Sequence, residues 1–290
     1  MWRWVTGGTL TFLVTVPVRT CMLTGADEAI SRDGKILILA YDHGLEHGPV
    51  DFEPVPRTAD PEVVFDLATH DAVTALAVQK GVAEAYYPDY EDEVTLLAKL
   101  NGTSNMWSGE PDSAVNWSAD YAADLGADAI GFTVYGGSNH EIEMIEEFRQ
   151  AHEAARANDM GIVMWAYPRG QGLRNANDPD TIAYAARVAH EVGADVAKVK
   201  YPGSRDAMEH TVAVSGRTKV VMSGGSKTDD LAFLRTVESA VDAGAKGLAV
   251  GRNVFQRERP RAILDALEAV IFEEANAEDA VDLAGPEPAD

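Results

Sequence analysis

Cysteine is almost absent from this 290-residue chain, which contains only Cys21. A single cysteine excludes a framework of intramolecular disulfide bonds. Basic residues are also scarce, because 24 lysines and arginines face 47 acidic residues and leave a net charge of −23. We therefore expect no nucleic-acid partner, since phosphate backbones attract proteins of the opposite charge. No apolar run is long enough to span a membrane, so we expect no membrane partner either.

The excess of acidic residues indicates a cytoplasmic protein that works in molar salt. Carboxylates hold water under those conditions, and salt screens their mutual repulsion. Lysine, by contrast, occurs only eight times. The alternative interpretation is an ordinary acidic protein with no special relation to salt.

Both ends of the chain differ in composition from its middle. An apolar stretch from Gly8 to Val18 resembles a short signal peptide, but no A-x-A-like cleavage site follows it. We interpret residues 1–21 as a mis-assigned start or an extension, with Met22 as an alternative start. A single domain is expected over residues 22–272. Residues 273–290 are acidic and contain two prolines, which predicts a frayed, solvated tail.

Short apolar or β-branched runs alternate with segments of helical periodicity, which predicts a parallel sheet. The predicted strands are Ile36–Tyr41, Val73–Val78, Leu96–Leu100, Ala129–Val134, Ile162–Ala166, Val196–Lys200, Lys219–Met222 and Gly247–Val250. Eight such units at this length predict an α/β fold of the (β/α)₈ TIM-barrel type. The alternative is an open doubly wound sheet, which usually carries a G-x-G-x-x-G turn after its first strand, and this chain has none there.

Polar and glycine-rich residues follow the predicted strands, at the end of a barrel where active sites lie. Two long connections, residues 43–72 and 101–118, are candidate lids at this end. Ser223-Gly224-Gly225 and Gly251-Arg252 follow the last two strands. Backbone N–H groups of such loops and an arginine fork bind phosphate in many barrels. The alternative is that these glycines only make tight turns.

A lysine inside an apolar strand suggests covalent chemistry. Burial at Lys198 would lower its pKa and make the neutral, nucleophilic amine available. Lys200 shares its face of the strand and would add a second cation. Tyr167 ends the neighbouring strand and could move a proton at the reacting carbon. The structural alternatives are a salt bridge between Lys198 and Asp42, and plain core packing for Trp165.

The first connection also contains the pattern H-x-x-E-H at residues 43–47, which matches an inverted zinc-protease motif. That motif needs a helix, whereas Gly44 and Gly48 predict a turn. We therefore expect no metal and no cofactor. The alternative metal site would use Asp42, His43, Glu46 and His47.

Six ordered motifs resemble the archaeal-type class I fructose-bisphosphate aldolases, in the group with the DhnA-type bacterial aldolases. The similarity extends from about Ile36 to Ile271. The motifs are LAYDHGLEHGP (Leu39–Pro49), KLNG (Lys99–Gly102), WAYPRG (Trp165–Gly170), AKVKYPG (Ala197–Gly203), SGGSK (Ser223–Lys227) and AVGRNVFQ (Ala249–Gln256).

The resemblance implies a metal-free homo-oligomeric lyase whose partner is a phosphorylated sugar. It implies reversible cleavage of fructose 1,6-bisphosphate to dihydroxyacetone phosphate and glyceraldehyde 3-phosphate. Lys198 matches the Schiff-base lysine, Tyr167 the general acid/base, and Asp42 the aspartate after the first strand. The candidate substrate contacts are Trp165, Arg169, His47, Lys200, Ser223, Gly224, Gly225, Gly251 and Arg252.

Other functions stay open at this point. The related 2-amino-3,7-dideoxy-D-threo-hept-6-ulosonate synthase shares the lysine, tyrosine and aspartate but tends to have small residues where Glu46 and His47 stand. An isomerase or prenyl-type transferase on the same barrel would need no imine. A sugar-phosphate sensor is a further alternative, because a fold does not establish chemistry. The lysine and tyrosine argue against a sensor, since binding alone needs no amine nucleophile.

Salt dependence tests the interpretation of the composition. Dialysis from molar to low salt should unfold the protein, because unscreened repulsion among the carboxylates then opposes the compact state. Circular dichroism and activity before and after dialysis measure the effect. Retained structure and activity at low salt would support the ordinary acidic protein instead.

Overall fold

The structure is a computed structural model that describes residues 27–106 and 108–285. The interpretation of residues 1–21 and the alternative start at Met22 lie outside the described residues. Among the residues that are described, no helix is long and apolar enough to cross a membrane.

Within residues 27–106 and 108–285, ten strands form two sheets, a barrel and a small separate pair. The strands are β1 (Ile36–Tyr41), β2 (Ala75–Val78), β3 (Leu96–Lys99), β4 (Asn101–Gly102), β5 (Ala114–Val115), β6 (Ala129–Gly136), β7 (Gly161–Pro168), β8 (Val196–Val199), β9 (Lys219–Ser223) and β10 (Gly247–Val250). Eight of them close in the order β1-β10-β9-β8-β7-β6-β3-β2, and every adjacent pair is parallel. The predicted (β/α)₈ barrel is therefore confirmed, with each predicted strand within two residues of its observed bounds.

Helices connect the barrel strands and cover their outer faces. They are α1 (His43–Glu46), α2 (Pro61–Ala68), α3 (Lys80–Tyr86), α4 (Ala119–Asp124), α5 (Glu141–Ala157), α6 (Pro179–Glu191), α7 (Arg205–Val214), α8 (Asp230–Asp242), α9 (Arg252–Phe255), α10 (Pro260–Phe272) and α11 (Ala277–Ala284). Side-chain caps start several of them. Asp178 accepts a hydrogen bond from Asp180 N before α6, and Asp229 accepts one from Ala232 N before α8.

Alternate residues of the strands fill the barrel interior. Ile38, Leu97, Val163 and Val221 belong to one buried cluster inside the barrel, and Trp165 belongs to the same cluster. Because alternate residues of a strand point to the same side, the inward-facing positions continue from this apolar cluster toward the carboxyl ends of the strands. Lys99 on β3 and Lys198 on β8 lie two residues beyond buried apolar positions, so the strand periodicity directs both amines inward.

The connection after β3 contains a structure that the sequence did not predict. Here β4 and β5 pair antiparallel, with Asn101 opposite Val115. Glu110 Oε1 then accepts hydrogen bonds from Asn139 N at 3.0 Å and from Gln171 N at 3.1 Å. The candidate lid is therefore attached to the loops that follow β6 and β7.

The acidic segment after α10 differs from the expected frayed tail. It forms α11, in which Ala277, Ala280 and Ala284 are buried. This helix packs against α8 and α10. Asn276 caps it by accepting from Asp279 N at 2.9 Å. Small alanines on one face allow close helix packing, and that contribution outweighs the acidic composition on the solvent face.

The seam that closes the barrel gives a stability prediction. Gly247 begins β10 with φ +133°, and a Cβ there would lie 2.0 Å from the carbonyl oxygen of Ile36 on β1. Gly247→Ala should therefore lower the free energy of unfolding by about 2 kcal/mol or more. Denaturant unfolding in high salt measures this change.

Gly81 provides the matched control. It lies on the exposed side of α3, and a Cβ there would meet no atom within 4 Å. Gly81→Ala should leave the stability unchanged or raise it by about 0.5 kcal/mol. Equal stability of the two alanine variants would contradict the steric argument at the barrel seam.

Candidate active site

A cavity of about 580 Å³ opens at the carboxyl ends of the barrel strands. Its volume falls within the usual range for small-molecule sites. Every candidate site residue named from the sequence borders it. These are Asp42, His47, Trp165, Tyr167, Arg169, Lys198, Lys200, Ser223, Gly224, Gly225, Gly251 and Arg252.

Lys198 lies inside the cavity with its side chain almost wholly buried. It is opposite Trp165 in the β7–β8 ladder, and its Nζ lies 4.6 Å from the centroid of the Trp165 ring. Burial lowers the pKa of Lys198, although the carboxylates of Asp42 and Glu46 oppose this effect. The amine is thus more readily deprotonated than an exposed lysine, as a nucleophile requires.

Asp42 follows β1 and is 8% exposed. Burial alone would raise its pKa, but the ammonium groups of Lys198 and Lys99 outweigh it and hold the pKa of Asp42 below its ordinary value. The carboxyl therefore stays ionised in the cavity.

Tyr167 lies on β7, two residues after Trp165. Burial raises the pKa of Tyr167 well above its ordinary value, and the carboxylates of Asp42 and Glu46 add to the rise. The neighbouring Ser223 opposes this rise in pKa. At neutral pH the phenol keeps its proton, so it is a proton donor in the resting site. Trp165 is 1% exposed, and its indole Nε1 has no hydrogen-bond partner among the described residues.

The loops after β9 and β10 form one wall of the cavity. Asn253 is fully buried and its Nδ2 donates to the carbonyl oxygens of Gly224 at 2.7 Å and Ser226 at 3.0 Å. These carbonyl groups are thereby held by a buried side chain, which fixes the loop after β9. A Cβ at Gly251 would lie 2.6 Å from the carbonyl oxygen of Ala40, so only glycine fits where β10 passes β1. One expected donor is engaged elsewhere, since Gly224 N donates to Ala249 O at 3.2 Å.

Positively charged side chains stand around the cavity mouth. Arg252 lies 3.5 Å from the Asp51 carboxylate, which also lies 2.6 Å from His47 Nδ1. Lys200 Nζ donates to Asn177 Oδ1 at 3.0 Å. The Arg169 guanidinium lies 5.5 Å from the centroid of the Tyr135 ring. The cavity thus offers cations on more than one side, as a substrate with two phosphates would require.

The first connection contains a short helix where the sequence predicted a turn. Helix α1 (His43–Glu46) follows Asp42 directly. The His43 ring stacks on Phe255 with centroids 4.8 Å apart, and neither ring nitrogen has a partner among the described residues. Within the described residues there is no group of three His, Cys, Asp or Glu side chains that could hold a metal ion.

Sequence reasoning missed several residues of the site. Lys99 is fully buried, and its Nζ lies 3.7 Å from Glu46 Oε1. Glu46 and Tyr135 border the cavity, and Asn253 holds the loop after β9. The KLNG motif marked Lys99 and the H-x-x-E-H pattern marked Glu46, but neither motif indicated that the two side chains would meet.

Comparisons with known proteins agree with this geometry. A family model described as DeoC/LacD family aldolase matches residues 36–257. A relative from Halobacterium salinarum named fructose-bisphosphate aldolase class 1 is 72% identical over 255 residues, which cover 88% of this chain and 97% of the relative. A solved structure described as a Schiff-base-forming fructose-1,6-bisphosphate aldolase has a TM-score of 0.81 and 42% identity, covering 85% of this chain and 98% of that chain.

The alternative synthase function named from the sequence corresponds to a more distant relative. A Halobacterium salinarum protein named 2-amino-3,7-dideoxy-D-threo-hept-6-ulosonate synthase is 32% identical over 258 residues, which cover 88% of this chain and 94% of the relative.

The unpartnered histidine gives a prediction on acid stability. Burial lowers the pKa of His43 from 6.5 to about 4. Between these pH values the unfolded chain binds a proton that the folded protein does not, so stability falls as the pH falls. Between pH 7.5 and pH 5 this loss should be about 2 kcal/mol. His43→Phe should remove it.

Denaturant unfolding at both pH values compares the variant with the natural protein. His210, an exposed histidine on α7, is the control, and His210→Phe should keep the full pH dependence. The same loss of stability in His43→Phe would show that other groups cause it.

Proposed function

Because the chain belongs to the DeoC/LacD family of aldolases, we propose that it is a class I fructose-bisphosphate aldolase. It cleaves fructose 1,6-bisphosphate reversibly to dihydroxyacetone phosphate and glyceraldehyde 3-phosphate. The observation that carries the proposal is a buried lysine, Lys198, in a cavity that also contains an ionised carboxylate and a protonated phenol, Asp42 and Tyr167.

The reaction begins at the neutral amine of Lys198, which attacks the C2 carbonyl of the ketose bisphosphate. Loss of water from the carbinolamine then gives an iminium ion. Its positive nitrogen draws electrons from the neighbouring C3–C4 bond, so the protein's own side chain provides the electron sink. The proposed reaction uses neither a metal nor a cofactor.

Tyr167 and Asp42 move the protons. As the C3–C4 bond breaks, the C4 hydroxyl loses its proton and becomes the aldehyde of glyceraldehyde 3-phosphate. Because Tyr167 already carries its proton and Asp42 is ionised, Tyr167 takes the C4 proton only by passing its own proton to the Asp42 carboxylate. The phenol then protonates C3 of the enamine and regains a proton from Asp42. Water finally releases dihydroxyacetone phosphate from Lys198.

Substrate binding is assigned to the walls of the cavity. Gly225, Gly251 and Arg252 anchor one phosphate, with help from Ser223 and Gly224. Arg169 is assigned to the second phosphate, with Lys200 and His47 as further contacts, and Trp165 forms the wall beside the amine. Two anchored phosphates hold C2 beside Lys198. This reduces the entropic cost of bringing the carbonyl and the amine together.

The proposal also covers the state of the protein in its cell. We propose that it acts as a cytoplasmic homo-oligomer at high salt. The net charge of −23 supports the salt requirement. Sedimentation equilibrium in molar potassium chloride measures the mass, and a monomer of 31.1 kDa would contradict the oligomer.

Covalent trapping tests the proposed chemistry. Borohydride with dihydroxyacetone phosphate in high salt should leave a reduced adduct on Lys198, which peptide mass spectrometry locates. Tyr167→Phe should still form the adduct, while turnover of fructose 1,6-bisphosphate falls about 10²- to 10⁴-fold, because the proton donor is lost after imine formation. Turnover should persist in EDTA.

Tyr184→Phe is the matched control, since Tyr184 lies 71% exposed on α6 and should not affect turnover. An adduct on Lys200 would keep the imine mechanism and move the nucleophile. A folded protein that binds the sugar phosphate but gives no adduct would overturn the class I mechanism.

A further inference from the structure

The barrel holds two buried lysines, although the proposed mechanism uses only one. Lys99 on β3 is 0% exposed and Lys198 on β8 is 5% exposed. Both side-chain amines face Trp165, with the Nζ atoms of Lys99 and Lys198 at 5.4 Å and 4.6 Å from its ring centroid. A second buried lysine needs a physical reason, because an ammonium group inside a protein is costly unless it is paired and hydrogen-bonded.

Lys99 has the partners that Lys198 lacks. Its Nζ donates to the carbonyl oxygen of Asn101 at 2.5 Å and to Asn101 Oδ1 at 3.1 Å. Asn101 is itself held rigidly, since its Nδ2 donates to Thr133 O at 2.8 Å and to Ser113 O at 3.1 Å. Lys198 Nζ makes no hydrogen bond to any residue that the structure describes. The geometry therefore favours the proton on Lys99 rather than on Lys198.

The ammonium of Lys99 faces a second buried carboxylate. Glu46 Oε1 lies 3.7 Å away, with the Glu46 side chain 17% exposed. This oxygen is buried and accepts no hydrogen bond from any described residue. Burial raises the pKa of Glu46 and lowers that of Lys99, and the charge of each group opposes the shift of the other. Lys99 and Glu46 thus form a pair inside the site.

The cavity therefore contains two carboxylates and two amines. Without Lys99, both Asp42 and Glu46 would act on Lys198 and favour its ammonium form, which cannot attack a carbonyl. Other elements also bring charged or titratable groups to the same cavity. These are Tyr135, Tyr167, His43, His47, Arg169, Lys200 and Arg252.

We propose that Lys99 is a positioning residue of the imine chemistry, whose buried ammonium pairs with Glu46 and so limits the negative charge that acts on Lys198 mainly to that of Asp42. This inference rests on the proposed function, because it concerns the nucleophile of that reaction. Burial and the charge of Lys99 both lower the pKa of Lys198, whereas Asp42 and Glu46 raise it, in agreement with the proposed balance.

The pH dependence of imine formation tests the charge balance. The measured quantity is the rate of borohydride inactivation with saturating dihydroxyacetone phosphate, from pH 5 to pH 10 in molar salt. Lys99→Met should move the rise in rate to higher pH and slow trapping at neutral pH about tenfold or more, because a rise of one in pKa leaves about a tenth of the neutral amine. Glu46→Gln should move the rise to lower pH.

The double variant separates charge balance from simple damage. Lys99→Met with Glu46→Gln removes one positive and one negative charge, and its profile should return close to that of the natural protein. If Lys99 had only a structural role, its loss would lower the trapping rate at every pH. The double variant would then be no faster than the slower of the two single variants. High salt should not abolish the shifts, because buried charges are weakly screened.

A surface pair provides the matched control. Lys80 Nζ lies 3.9 Å from Glu84 Oε1, with side chains 40% and 39% exposed. Lys80→Met, Glu84→Gln and their combination should leave the pH profile of trapping unchanged. If Lys99→Met does not fold, Glu46→Gln and the double variant still decide the question.

The outcomes distinguish the two proposals. No adduct on Lys198 in the natural protein would overturn the proposed function. An adduct on Lys198 whose pH profile is the same in the natural protein, Lys99→Met and Glu46→Gln would overturn only the role of Lys99.

Discussion

The removal of one ammonium group from water is the constraint on which the site depends. An amine can act as a nucleophile at neutral pH only when its surroundings disfavour the charged form. Inside this barrel, Lys198 stands against the face of Trp165 and makes no hydrogen bond to the described residues. The carboxylate of Asp42 opposes deprotonation, so the site must limit the number of negative charges near the amine. The arrangement of Lys99 and Glu46 follows from that limit.

The barrel provides this environment because its strands alternate inward and outward. Every second residue of a strand points into the interior, and the interior becomes polar only near the carboxyl ends. Lys198, Trp165 and Tyr167 therefore reach one cavity from two adjacent strands, while Asp42 reaches it from the end of β1. Closure between β1 and β10 brings the first and last strands together, so the loop with Arg252 lies beside the loop that starts at Asp42.

The strands, and the set of candidate residues that line the cavity, could be predicted from the sequence for a local reason. Each strand is a short apolar run, and each candidate follows its own strand, so the topology of a barrel brings them together without knowledge of side-chain contacts. The contact between Lys99 and Glu46 could not be predicted in this way. It depends on the direction of two side chains from separate elements, and on a one-turn helix, α1, in a glycine-containing segment. Helix α11 was missed because its acidic composition resembles a tail, whereas its stability comes from alanines that pack on α8 and α10.

The net charge of −23 poses a final physical problem, because the proposed substrate carries two phosphates. In molar salt the Debye length is about 3 Å, so the acidic surface exerts little repulsion on an approaching anion. The proposed recognition would then depend on contacts inside the cavity, which Arg169, Lys200 and Arg252 line. The same screening does not reach Lys198, because salt ions are excluded from a buried cluster. The negative charge near the proposed nucleophile must therefore be balanced by buried side chains of the protein itself. A buried lysine such as Lys99 can do this, whereas a cation on the surface cannot.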